Sequence, residues 1–169
     1  DKAMNYFWDA LEGLPGLKAH RPAKDSGLYK GGWYCPAGIY NPDELGGLSL
    51  KRFCKALQAE GVSDAIPGVN KPLHLHPVFN TADIYGHGKP TRIANSDRDL
   101  RQPEGSLPVT EKISKRMVRI PHFKHFRTEV IDSYIAAYKK VINNYKQLLA
   151  DDGGNDDDIG GWNLSHVKK

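Results

Sequence analysis

Apolar residues return at helical spacing in three parts of the chain. Met4, Phe7, Trp8, Leu11 and Leu14 form the first stripe and predict a helix ending near Gly13, with Pro15-Gly16 as its stop. Leu50, Phe53, Cys54 and Leu57 form the second, with Ser49 placed to cap its start and Gly61 to end it. The third is the longest: Ile131, Tyr134, Ile135, Tyr138, Val141, Ile142, Tyr145, Leu148 and Leu149, with Thr128 as the expected cap. A shorter helix is predicted from Pro108, because proline suits the first helical position. Val109, Ile113 and Met117 would line its apolar face, and Glu111 would meet the positive end of its dipole.

Strand signals are weaker. Tyr29, Gly31, Trp33 and Cys35 alternate as one face of a strand within 29–40 would. A short strand is expected over 65–69, interrupted by Pro67 and Gly68, and another over 118–120, closed by Pro121. The sum is an α+β domain with a small sheet, several helices and one long loop. That loop runs from Asn70 to Gly105 and holds Pro72, Pro77, Pro90 and Pro103. Loops of that length in a compact domain are usually functional or disordered. This one carries His74, His76, Phe79, Tyr85 and His87, too many rings for a disordered linker, so it reads as an ordered functional loop.

Composition narrows the class. An apolar fraction of 39% allows a globular core, and no apolar run is long enough to span a bilayer. The first residues do not read as a signal peptide, since charges interrupt their apolar stretch. Cys35 and Cys54 form no CxxC pair, which argues against structural zinc and for reduced thiols in a cytoplasmic protein. The net charge of +4 is uneven. Asp151, Asp152, Asp156, Asp157 and Asp158 lie in one short stretch, and without those five the remaining 15 acidic residues face 24 basic ones, a net +9. A basic body suits nucleic acid, a phosphorylated small molecule, or an acidic surface of another domain. No zinc-finger or RNA-recognition signature accompanies it, so nucleic acid is not the expected partner. The aspartates at 151–158 lack the alternation and closing glutamate of a calcium loop and read as a solvated linker.

The His74-x-His76 pair is the one metal candidate, with His87, His122 or His125 as further donors. Nothing in the spacing fixes those donors, so hydrogen-bonding loop histidines are the expectation and no metal is assigned. No nucleophile elbow, HExxH or phosphate-binding P-loop occurs, and Gly86-His87-Gly88-Lys89 lacks the strand-to-helix setting of a phosphate loop. Lys112, Lys115, Arg116 and Arg119 read as a solvated basic face.

Four stretches carry a resemblance. They are Leu11-Glu-Gly-Leu-Pro-Gly-Leu17, the helix from Leu50 to Glu60 with Gly61-Val62 after it, Lys71-Pro-Leu-His-Leu-His-Pro-Val-Phe79, and Leu107-Pro-Val-Thr-Glu111 followed by Met117-Val-Arg-Ile-Pro121. Their order resembles the C-terminal region of the DegT/DnrJ/StrS family of sugar aminotransferases over about residues 1–150. The third and fourth stretches are the specific ones. The loop between Phe79 and Leu107 is longer than in typical sugar members, and Tyr85-Gly-His-Gly-Lys-Pro90 has no counterpart there, which bears on the substrate.

The resemblance implies the small C-terminal domain of an aspartate-aminotransferase-like fold. It divides the chain into the end of an interdomain helix and linker (1–20), the small domain (21–150) and an acidic glycine-rich tail (151–169). It implies pyridoxal 5'-phosphate (PLP) as cofactor, bound mainly by an N-terminal domain that also supplies the Schiff-base lysine, and a homodimer. The first helix would then rest its apolar face on that domain. The implied reaction moves an amino group from glutamate or glutamine to a nucleotide-linked keto-sugar or a keto-cyclitol. This chain would form part of the substrate pocket through Lys71, His74, His76, Phe79, Tyr85 and Lys89 and would carry no catalytic residue of its own. The alternative is a non-catalytic basic domain that binds an anionic partner or mediates dimerisation.

Overall fold

The computed structural model describes residues 1–154 together with Asp156 and Ile159. Among these, helices α1 (Lys2–Ala10), α2 (Leu50–Ala59), α3 (Pro77–Asn80), α4 (Pro108–Arg116), α5 (Thr128–Asn143) and α6 (Tyr145–Leu148) surround strands β1 (Leu17–Ala19), β2 (Ala37–Tyr40), β3 (Ile66–Pro67) and β4 (Met117–Arg119). The strands form one antiparallel sheet in the order β1-β2-β4-β3. This is the α+β class that the patterning predicts. No helix among the described residues is long and apolar enough to cross a membrane.

Register sorts the sheet into two faces. Leu17 sits opposite Tyr40, and Gly38 opposite Val118; all four are buried under the helices. Gly38 has to be glycine, because a Cβ there would lie 2.8 Å from the Trp8 ring and 2.9 Å from the Leu17 side chain. Lys18, Ile39, Met117 and Arg119 face the other way, half-buried or exposed. The core joins α1, α2 and α5 through rings. Phe7 packs against Trp8, Phe123 and Tyr138, and Phe53 lies 4.9 Å from Tyr40. Met4, Phe7, Trp8 and Leu11 are all buried within this chain, so the expectation that the first helix needs another domain to cover it is corrected.

Ser49 caps α2 as expected, its hydroxyl accepting from the Arg52 N–H. Several other expectations need correction. Residues 27–36 are irregular rather than a strand: Gly27 and Cys35 adopt positive φ, and Tyr29 and Tyr34 are exposed. Trp33 alone in that alternation is buried, with its indole N–H donating to the Asp1 carboxylate at 2.8 Å. The strand expected over 65–69 shrinks to Ile66–Pro67 at the sheet edge, where a missing proline N–H is harmless. Thr128 is the first residue of α5, not its cap; Arg127 holds that place. The α4 stripe is turned outward, with Val109 80% and Ile113 36% exposed. Its buried residue is Ser114, whose carbonyl accepts the Val69 N–H, so a small side chain lets the backbone of the β3 segment approach. Both cysteines are free thiols, Cys35 exposed and Cys54 buried.

The acidic stretch is not simply a solvated linker. Asp152 accepts from the Ser49 N–H and hydroxyl at 2.7 and 2.6 Å, and Asp156 accepts from the N–H groups of Leu50 and Lys51 at 2.7 and 3.1 Å. Ile159 joins the core. Asp157, Asp158 and the tail from Gly160 onward lie outside the described residues.

Candidate functional site

The loop between β3 and α4 is built in two parts, a root on the protein body and a tip. At the root, Leu73–Leu75 forms a 3-10 turn and His76 caps α3, its Nδ1 accepting the Val78 N–H at 3.0 Å. Asn80 ties the turn together, its side-chain amide donating to the carbonyls of His74 (2.7 Å) and His76 (2.9 Å). In a strand, His74 and His76 would point to one side; in this turn they part. His74 is 5% exposed, and its Nε2 meets the Glu111 carboxylate at 2.9 Å. The same carboxylate accepts the N–H groups of Gly105 at 2.8 Å and Leu107 at 3.1 Å. Glu111 is therefore a hub that closes the far end of the loop onto the near end. The Gly105 N–H first, then His74 and the Leu107 N–H, hold its carboxyl below the usual carboxylate range against a smaller opposing effect of desolvation.

At the tip, Asp83 accepts the N–H groups of His87 at 3.1 Å and Gly88 at 2.6 Å. Desolvation acts to raise its carboxyl pKa, but the backbone N–H groups of Gly88, His87, Gly86 and Tyr85 outweigh it and set it below the usual range. The neck of the tip is closed by Thr91, whose N–H and hydroxyl both donate to the Ala82 carbonyl at 2.8 and 2.7 Å.

The six candidate pocket residues thus fall into separate groups. His74, His76 and Phe79 gather at the root, with the Phe79 ring edge-on to His76 at 6.2 Å. Tyr85 and Lys89 stand exposed at the tip, and Lys71 is exposed where the loop leaves the body. Sequence reasoning missed Asn80, Asp83 and the pairing of Glu111 with His74. An aspartate ahead of Gly86 and Gly88 was a local signal for a carboxylate holding a turn; the His74–Glu111 contact spans 37 positions and left no such signal. Among the described residues no group of three or more histidine, cysteine or acidic side chains is placed to hold a metal ion. No family model matches this chain, and no curated protein matches it.

The hub makes a prediction. Glu111→Ala removes the shared acceptor of His74, Gly105 and Leu107, so amide hydrogen exchange should quicken over 72–76 and 105–107 while α1 and α5 keep their protection. Because the Glu111 carboxyl lies below its ordinary value in the folded chain, the wild-type joint holds above that ordinary value and opens as pH falls through the lowered one. Exchange that is uniform across the chain, or unchanged in the loop, would contradict the hub.

Proposed function

We propose that this chain is the small C-terminal domain of a PLP-dependent aminotransferase that aminates a nucleotide-linked keto-sugar or a keto-cyclitol, with glutamate or glutamine as donor. One observation carries the reading. The two stretches most specific to the resemblance, Lys71–Phe79 and Leu107–Glu111, lie 28 or more residues apart in sequence yet meet through His74 and Glu111. A small four-stranded antiparallel sheet with helices on one face agrees with an aspartate-aminotransferase-like small domain.

The described lysines do not fit the cofactor-holding role. All are exposed or half-buried, whereas a lysine that condenses with a carbonyl needs desolvation to lower its pKa. The reading therefore puts PLP, which would supply the electron sink for amino transfer, on a domain outside this sequence. This chain's share is the wall of a substrate pocket. Glu111 fixes the loop root, Asp83 fixes its tip, and Lys71, His76, Phe79, Tyr85 and Lys89 are the side chains offered to a sugar and its carrier. In a homodimer, that wall would close a site shared between subunits.

Intact mass and PLP content of the protein purified from its native source test this. A species more than twice 18.8 kDa, with PLP bound and glutamate-dependent amination of a keto-sugar, is the expected result. A native species of 18.8 kDa without PLP would overturn the reading.

A further inference from the structure

The sheet has two edges, and they are finished differently. At the β3 edge, Pro67 removes a backbone donor, which discourages a further strand. At the β1 edge the backbone stays open. The Asn41 N–H donates to the Gly16 carbonyl at 2.9 Å, and Leu17 stands opposite Tyr40, so the alternation of an antiparallel ladder makes Lys18 and Ile39 the hydrogen-bonded pair. Leu17 and Ala19 therefore turn their N–H and C=O groups away from β2, and no described group takes them.

That edge borders a cavity of about 450 Å³, and no residue of β2 lines it. Trp8, Leu11, Leu17 and Ala19 give the cavity an apolar side, and the indole N–H of Trp8, a residue 2% exposed, has no acceptor among the described residues. A further wall is the segment after β1, which ion pairs fasten to α1. The Arg21 side chain, 10% exposed, donates to the Asn5 side-chain oxygen at 2.9 Å and to Asp9 at 2.6 Å, while Lys24 lies 3.1 Å from Asp9 and 2.8 Å from Glu12. A wall fixed in this way has little ordering entropy left to lose when a ligand arrives. A second hollow of about 120 Å³ shares Arg21 and Lys24 and continues to Lys30 and the exposed Tyr29. Among the described residues, the two hollows are lined by four cations, Lys18, Arg21, Lys24 and Lys30, against two acids, Asp1 and Glu12. Lys18 has no ionic partner among them.

We propose that the β1 edge is a docking site for an acidic extended peptide, which joins the four-stranded sheet as a fifth strand. Its main chain pairs with the open groups of Leu17 and Ala19, and its side chains alternate between the two faces of the sheet. Those on the face of Leu17 and Ala19 meet the apolar side of the cavity, and those on the face of Lys18 meet its charge. The partner is thus a segment that alternates apolar and acidic residues. The site uses neither the β3–α4 loop nor amino transfer, so it stands or falls apart from the function proposed above.

The test is an NMR titration of the nitrogen-15-labelled 169-residue chain with capped peptides in which glutamate alternates with valine, leucine or phenylalanine. Strand addition has an alternating signature. The Leu17 and Ala19 amides should shift and exchange more slowly with peptide bound, while the Lys18 amide, already paired with Ile39, keeps its protection. Ala19→Pro removes an outward N–H that the pairing with β2 does not use, so the fold is retained and affinity should fall at least about tenfold. Lys18→Glu, a change at an exposed side chain, should also weaken the acidic peptides, and a peptide with lysine in place of glutamate should bind less tightly than they do. No change at Leu17 and Ala19 with millimolar peptide would overturn the site. So would equal affinity for the lysine peptide, or full affinity in both Ala19→Pro and Lys18→Glu. Protection of Leu17 and Ala19 that rises with protein concentration in the absence of peptide would overturn it in favour of pairing between two copies of this chain.

Discussion

Phe7→Ala is expected to cost about 3–5 kcal/mol of folding free energy, the range for deleting a large ring from a packed core. Phe7 is fully buried, and three rings converge on it: Tyr138 of α5 at 5.3 Å, Trp8 at 5.4 Å and Phe123 at 5.4 Å. None of these partners can collapse into the space left behind without moving a second element, because Tyr138 also packs on Phe53 of α2 and Phe123 on Tyr134. Small domains have only about 5–15 kcal/mol in total, so the urea midpoint should fall steeply with an unchanged m-value. Tyr6→Ala is the control. Tyr6 is 37% exposed, and its hydroxyl donates to Asp132 at the surface, so its loss should move the urea midpoint far less than the loss of Phe7. Equal effects from the two variants would mean that α1 is not part of this core and that its apolar face serves some other contact.

That helix also shows where sequence reading succeeds. Met4, Phe7, Trp8 and Leu11 share a stripe whatever they pack on, so the helix was legible while its partner was not. The start of α2 was legible for the same reason: Ser49 and the Arg52 N–H are three positions apart. Pro108 marked the start of α4 equally locally. What failed was long-range. The alternation from Tyr29 to Cys35 looks like a strand, but a strand exists only against a neighbour, and β2 begins at Ala37, where β1 and β4 flank it. β1 itself is three residues long and carries no periodicity to read. At the candidate site, the residue types in the loop were legible and their roles were not. His74 looked like a group offered to a ligand because nothing nearby in sequence claims it, whereas Glu111, a turn into a later helix, does. Val109 and Ile113 fit a buried stripe by spacing, yet α4 runs directly into β4 at Met117, so the strand dictates which side of the helix faces inward.

The acidic segment is the largest such failure and gives the second large effect. Composition marks residues 151–158 as solvated linker, but Asp152 and Asp156 reach back more than 100 positions to the start of α2. The first turn of a helix leaves N–H groups without partners inside the helix and carries the positive end of its dipole. Here Asp152 takes the Ser49 N–H, Asp156 those of Leu50 and Lys51, and the Ser49 hydroxyl that of Arg52. The double variant Asp152→Ala, Asp156→Ala strips the N–H groups of Ser49, Leu50, Lys51 and Gly154 and the Ser49 hydroxyl of their acceptors, and at about 1–2 kcal/mol for each capping carboxylate it should lose about 2–4 kcal/mol. Asp152 also sets a pH signature. Desolvation acts to raise its carboxyl pKa, but the bonds from the Ser49 hydroxyl and N–H and from the Gly154 N–H, with Arg52 nearby, outweigh that and lower it. A carboxyl more acidic in the folded chain than in the unfolded one contributes its full stability above the unfolded value, near pH 4, and loses it as pH falls through the lower folded value. Urea midpoints measured from neutral pH downward should therefore be flat for this contribution until about pH 4 and then drop in the wild type. In the double variant the midpoint should start lower and drop less over the same window. If both proteins fall in parallel, the carboxylates are not tied to α2, and the segment is the solvated linker that its composition suggests.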